Sequence, residues 1–394
     1  MIPKHAFSYC PGFMSTLLVL LFPTLSAGAD AHPPIGVGGA RTLGVNTAYP
    51  SSDPLLSSSR YRGGIDGDTL VFHIAQFGRN NPAWFYSYDR GETWHSAVTE
   101  LDNDYSLWYM DYHSSGWFSG KSGFHTSWRY RTSQNRPLYR HISAPYTVNA
   151  MTDPVRQLGP STDICYYPVV CANDSEQFYL NLTANVNQPL IVYRSVNNFA
   201  SYSRSEPRHF RITGGGSTQN GMRANIQMGQ DGRPIITVLD VGTHAFYRLR
   251  WNGATWDSTM ITNDISGLAE RGYAYAEMNG RGHLIYMRDA DNRWFHWWNT
   301  DGVHWAVDTP SVVNWSGLGA QQVSVINSGS NARLYMFYMV QNGADSSICL
   351  KTWTESDGWD ADSTIIVQSA HCTWPQCPPY VPADYDSVAV IWKS

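Results

Sequence analysis

The stretch Tyr86–Trp94, YSYDRGETW, sets the question of the fold. From Ser87 it reads S-x-D-x-G-x-T-W, which is turn chemistry with a strand on each side. Asp89 has the short carboxylate that accepts backbone N–H groups within a turn, and Gly91 permits a positive φ. Trp94 then restarts a strand and packs on the sheet. One such turn is ambiguous, so the deciding observation is whether the surrounding unit recurs.

It recurs along most of the chain. A turn followed by an apolar or alternating strand appears as DGDTLVFHIA from Asp66, GKSGFHTSWRY from Gly120 and NDSEQFYLNL from Asn173. DGRPIITVLD from Asp231, NGRGHLIYMRD from Asn279, GSNARLYMFYM from Gly329 and YDSVAVIWK from Tyr385 continue the series. These seven copies lie at intervals of roughly fifty residues. The first six are each followed by a second strand: AWFYSYD, PLYRHIS, PLIVYRS, AFYRLRW, WFHWWNT and ICLKTW. Four of these end in a turn that places Trp94, Trp256, Trp305 and Trp359 in register.

The opening turn resembles the Asp-box, which joins the two outer strands of a β-propeller blade. The pattern therefore predicts an all-β protein, a seven-bladed β-propeller of four-stranded antiparallel blades, with six blades if one copy is spurious. The last pair of strands has no outer partners after it. Residues 35–46 are expected to complete that blade and close the ring.

Composition agrees with a large packed domain: 394 residues, 42% hydrophobic and 14% aromatic, with 15% charged. The net charge of −5 argues against non-specific nucleic-acid binding. The apolar run MSTLLVLLF, 14–22, followed by Ala27-Gly28-Ala29, reads as a secretory signal over residues 1–29. Residues 30–394 are then a single propeller domain in the secretory pathway, secreted or vesicular, with no membrane association after cleavage. Sequons at Asn173, Asn181 and Asn314 suit that route as glycosylation sites. After loss of Cys10 five cysteines remain, and Cys372 with Cys377 is the expected local pair. No spacing forms a metal site, and no cofactor motif is present.

In a propeller of this strand order, loops entering the first strands and loops after the second strands crowd one face. That rule selects Arg223, Arg271, Tyr275 and His244 as candidate catalytic residues. Tyr167, Asp163, Asp104 and Arg131 are the candidate substrate-binding residues. Tyr139-Arg140, Tyr193-Arg194 and Tyr247-Arg248 recur on third strands and are expected to pack between blades.

Two family resemblances bear on function. By size, leader, repeat and aromatic richness the chain resembles fungal hetero-Diels–Alderases of tropolone–sesquiterpenoid pathways. That resemblance implies small aromatic and terpenoid substrates. An ortho-quinone methide would form by loss of water and react with an alkene, with Arg223 and Arg271 as oxyanion donors. Tyr275 or His244 would assist departure of water. The hairpin-and-strand repeat also resembles ulvan lyases and rhamnose–glucuronate lyases, which implies a uronate glycan and proton abstraction by His or Tyr. Where those enzymes carry their histidines, this chain has Asn103-Asp104 and Arg131. A sugar-binding lectin is the third reading, with the repeated Trp positions as stacking surfaces. Cycloaddition ranks first, the lyase second and the lectin third.

Overall fold

The computed structural model describes residues 16–23, 35–37 and 41–42. Between 64 and 393 it describes the sheets and most of the tight turns joining them. Residues 99–109, 147–152, 211–223, 264–272, 310–320 and 378–387 are among those outside the description. The described residues form seven antiparallel sheets, and each is built from consecutive strands except the last. Sheets I to VI span 64–98, 110–157, 167–205, 224–262, 273–308 and 321–369. Sheet VII joins Thr373–Gln376 and Val388–Lys393 to strands from the start of the chain.

In all seven copies the strand is the second strand of a sheet and pairs antiparallel with the first. The turn at Asn279-Gly280 shows why the sequence folds this way. Both residues have positive φ, 51° and 74°, and Met278 pairs with Arg281 across a two-residue loop. That is the turn whose twist matches antiparallel strands. The second strands Gln177–Leu182 and Pro234–Asp240 are buried at every position. Continuous burial requires cover on both faces, which stacking of sheet on sheet supplies. The outermost strand Trp256–Thr262 is mostly exposed or half-buried.

The cores lie between successive sheets. Trp117, Val169, Phe178 and Ile226 belong to one cluster running through sheets II, III and IV. Leu239, Phe246 and Leu284 join IV to V, and Met278, Trp294 and Met336 join V to VI. Each such side chain contributes about 1.5–3 kcal/mol through burial. Hydrogen bonds between neighbouring inner turns add a second link. Asn173 Nδ2 donates to Gly232 O at 2.8 Å and Gly280 N to Gln230 Oε1 at 2.8 Å. Arg281 of an inner turn pairs with Glu355 in the turn between the third and fourth strands of sheet VI. The repeated Tyr-Arg pairs pack between sheets as the sequence predicts. Arg194 lies over Trp251 at 5.5 Å and Arg248 over Trp305 at 5.6 Å, each reaching the next sheet.

The opening turn has the expected bonding. Asp89 Oδ1 accepts Thr93 N at 2.8 Å, Oδ2 accepts Thr93 Oγ1 at 2.6 Å, and Ser87 Oγ accepts Gly91 N at 2.8 Å. Gly91 has φ 87°, and Trp94 Nε1 donates to Gly91 O at 2.8 Å. Sheet III repeats this turn with different residues. Asn197 Oδ1 accepts Ser201 N at 2.9 Å, Ser195 Oγ accepts Phe199 N at 2.8 Å, and Phe199 takes φ 59°. Ser195, Asn197, Phe199, Ser201 and Tyr202 thus stand where Ser87, Asp89, Gly91, Thr93 and Trp94 stand in sheet I.

Sheet VII mixes both ends of the chain, by a route different from the expected one. Thr16–Pro23 is its third strand and pairs with Val388–Lys393 from Thr16↔Lys393 to Leu21↔Val388. Ile35–Val37 and Arg41–Thr42 pair with Thr16–Pro23 and not with Val388–Lys393. The apolar run read as a leader is thus a sheet strand here. In one molecule that strand and cleavage near Ala29 exclude each other.

Cys349 is a buried free thiol that burial pushes up to about 11. Of the expected local pair, Cys372 lies outside the described residues.

Candidate functional site

Of the residues expected at the site, the structure describes Tyr167, Asp163, His244 and Tyr275. Arg223, Arg271, Asp104, Arg131 and Asn314 lie outside the described residues. Tyr167 is on the first strand of sheet III, opposite Leu182. His244 is exposed, at φ 53°, in the turn after the second strand of sheet IV. Asp240 closes that turn by accepting Gly242 N at 2.9 Å and Thr243 Oγ1 at 2.9 Å.

Tyr275 corrects the expectation. Its side chain is buried between sheets IV and V with Leu239, Phe246 and Leu284. Burial, reinforced by Glu277, pushes its phenol up. Strand position alone suggested the channel, but side chains alternate along a strand and this one points into the interface between sheets. Asn181 is a second correction. It is fully buried in the middle strand pair of sheet III, where a glycan has no room. Asn173 is half-buried, with Oδ1 accepting Ser175 N and Glu176 N at 2.9 and 2.7 Å.

Asp163 is buried on the connection into sheet III, and it is occupied by protein partners. Tyr193 Oη donates to its Oδ2 at 2.5 Å, while Arg204 Nε and Nη2 donate to Oδ2 and Oδ1 at 2.9 and 3.3 Å. Arg204 Nη1 also donates to Glu206 Oε1 at 2.6 Å. The two carboxylates hold the guanidinium charged, well above its ordinary pKa, and the Asp163 bond is the largest cause. Alternation puts Tyr202, Arg204 and Glu206 on one side of the outermost strand, Ser203–Ser205. Tyr202 is 40% exposed, edge-on to Tyr193 at 5.4 Å, and its hydroxyl accepts Gly159 N at 2.9 Å. The result is a fixed aromatic ring beside an arginine shared by two carboxylates. Sequence reading found Asp163 but missed Tyr202, Arg204 and Glu206. The signal was present, because SVNNFASYSRSE repeats the turn of YSYDRGETW with Asn for Asp and Phe for Gly.

Behind the strip, between sheets II and III, lies a histidine cluster. His125 Nδ1 and Tyr139 Oη are 2.6 Å apart, and His141 Nδ1 is 2.5 Å from Asp153 Oδ2. Asn198 of the sheet III turn reaches His141 Nδ1 at 3.1 Å. Burial, helped by His141, holds His125 well below the usual histidine range, and burial also raises Tyr139. Both are buried, so a polymer cannot reach them and their role is structural. Among the described residues no group of three or more His, Cys, Asp or Glu is placed to hold a metal.

No protein-family model matches the chain, and no curated protein matches it. Solved structures do. One is described as a new family of polysaccharide lyase, a PL25 ulvan lyase; it matches with TM-score 0.58 at 10% identity, over 84% of this chain and 88% of that one. The lectin of Aleuria aurantia, described as a six-bladed β-propeller with a novel mode of fucose recognition, matches with TM-score 0.45 at 11% identity, over 83% and 98%. Virginiamycin B lyase from Staphylococcus aureus matches with TM-score 0.49 at 10% identity, over 85% and 95%. At these identities the likeness to the ulvan lyase shows the fold alone, and it agrees with the sheets: this chain is an all-β protein of the β-propeller fold.

Proposed function

We propose that this propeller recognises a carbohydrate at the outer edges of its sheets. The observation that carries the reading is the strip Tyr202, Arg204 and Glu206. A rigid, exposed aromatic face beside fixed polar groups suits a sugar ring, which presents C–H groups on its face and hydroxyls at its edge. Tyr88, 44% exposed in the matching turn of sheet I, gives a second exposed ring; it stacks on Tyr146 at 6.4 Å and its hydroxyl donates to Pro145 O. Secretion would bring such a surface to extracellular glycans.

Hetero-Diels–Alder cycloaddition in the channel is the second reading. Its described support is now His244, exposed on the turn that Asp240 fixes. Arg223 and Arg271 would still serve as oxyanion donors, and Tyr275 drops out of the role. Uronate cleavage is the third. One set of assays on the purified full chain separates them. The carbohydrate reading expects oligosaccharides retained on a glycan array, with no rise in unsaturated-uronate absorbance. A rise in that absorbance returns the case to the lyase. Accelerated and stereoselective capture of an ortho-quinone methide by an alkene, with no glycan retained, returns it to cycloaddition.

A further inference from the structure

The next step rests on the carbohydrate reading and adds the charge class of the ligand. We infer that the Tyr202–Arg204–Glu206 strip takes an uncharged or amino sugar, and that it rejects a uronate. The argument is an account of donors. Arg204 presents one edge of its guanidinium, Nε and Nη2, to Asp163, and it gives Nη1 to Glu206. A uronate needs that planar fork for itself, since bidentate pairing with arginine is how proteins hold a carboxylate. Here the fork is already engaged by a buried aspartate that Tyr193 also bonds. Withdrawing the guanidinium would leave the buried Asp163 charge without its counter-ion, a change that is strongly destabilising.

The local balance points the same way. Two carboxylates share one guanidinium, so a third carboxylate entering the strip meets net negative charge. An ammonium or a hydroxyl donor meets attraction. Glu206 is the group placed to receive it, because its side chain is 37% exposed while that of Asp163 is 7%. Tyr202 is independent of this argument and also indicates a stacked ligand. Its ring is held by Tyr193 and its hydroxyl by Gly159 N, so little ordering entropy remains to be lost when a sugar binds.

The test uses the folded full chain and three tetrasaccharides: glucosamine, N-acetylglucosamine and galacturonate, each titrated by calorimetry. The inference expects the glucosamine or N-acetylglucosamine tetramer to bind about fivefold tighter than the galacturonate tetramer, the upper end of the effect that an exposed charge gives. Glu206→Gln should erase most of the preference for glucosamine over galacturonate. Tyr202→Ala should abolish binding of all three, whereas Tyr202→Phe, which keeps the ring, should retain it. Tighter binding of galacturonate, or an unchanged preference in Glu206→Gln, overturns the charge inference and leaves the carbohydrate reading in place. No binding of any of the three by the folded wild-type chain, together with an empty glycan array, overturns the reading itself.

Discussion

His283 Nδ1 and His296 Nε2 lie 3.0 Å apart in the interface of sheets V and VI, on the same cross-strand diagonal that brings His125 Nδ1 to Tyr139 Oη in sheet II. His125 stands opposite His141, two residues beyond Tyr139, and His283 stands opposite Trp298, two residues beyond His296. The sheet V pair is enclosed by Trp353, which meets both rings edge-on at 5.1 and 5.0 Å. Its two outer nitrogens, His283 Nε2 and His296 Nδ1, are buried with no hydrogen-bond partner among the described residues.

These histidines make stability depend on acidity. Burial drives His283 down to about 3 and holds His125 and His296 well below the usual range. The folded chain therefore keeps them neutral while the unfolded chain protonates them near the ordinary value of about 6.5. Below that value the unfolded state binds more protons, so stability falls as pH drops from about 6.5 toward 3. Each such histidine contributes a slope of up to about 1.4 kcal/mol per pH unit. Urea midpoints measured at pH 7.5, 5.5 and 4.5 should fall steeply. His296→Tyr, which copies the sheet II pair and removes one titrating group, should flatten the decline. An unchanged decline in that variant contradicts the assignment.

The interface of sheets IV and V depends on Glu277. This carboxylate is almost completely buried, accepts Arg250 Nη1 at 2.8 Å and takes Gln230 N at 3.0 Å. Glu277→Ala leaves Arg250, a quarter exposed and still bonded to Asp231 at 2.9 Å, without its buried partner and should cost about 1–3 kcal/mol. Chemical denaturation reads it directly. A loss below about 1 kcal/mol would mean that the pair behaves as an exposed one.

The two matching turns give a pair of opposite tests. Gly91→Ala forces a side chain to φ 87° and should destabilise sheet I by about 1–2 kcal/mol. Phe199→Gly relieves a similar strain of about 1 kcal/mol but deletes a buried ring, a loss of about 3–5 kcal/mol. Packing wins, so Phe199→Gly should also be destabilising, by about 2–4 kcal/mol. A stabilised Phe199→Gly protein would show that the ring contributes little. Phe199 lies 4.5 Å from Tyr139 and 6.3 Å from Tyr179, which makes that outcome inconsistent with the packing described.

How far the sequence could be read follows from these same residues. Periodic turns and strands report backbone geometry, which is local, so the second strand of all seven sheets is legible in the sequence. The fate of Thr16–Pro23 was not legible, because an apolar run of that length satisfies both a leader and a sheet strand. Tyr275 was misplaced because strand position gives depth along the sheet but not the face to which a side chain turns. Tyr202, Arg204 and Glu206 were missed because Phe199 holds a positive φ where glycine was the expected marker. A search for the bonding pattern, Ser and Asn two apart with Ser four further on, finds the turn.

Secretion and modification can be checked together by mass spectrometry of protein made in a secreting eukaryotic host. Asn173, at the edge of its turn, should carry glycan, and Asn181 should be bare because its strand is fully buried. The first residue of the secreted chain decides whether Thr16–Pro23 is kept. A mature chain starting near Asp30 shows that the outer part of sheet VII is rebuilt without it. A chain retaining residue 16 supports the pairing of Thr16–Pro23 with Val388–Lys393. Glycan on Asn181 contradicts the burial of that strand.

The central claim is that the strip on sheet III recognises a sugar, and saturation-transfer difference NMR on the intact protein tests it most directly. Irradiating the aromatic protons of the wild-type chain in the presence of the glucosamine tetramer should saturate the sugar ring protons, and the transfer should disappear in a folded Tyr202→Ala protein. Transfer of equal strength in Tyr202→Ala, or none in the wild-type chain, contradicts the account.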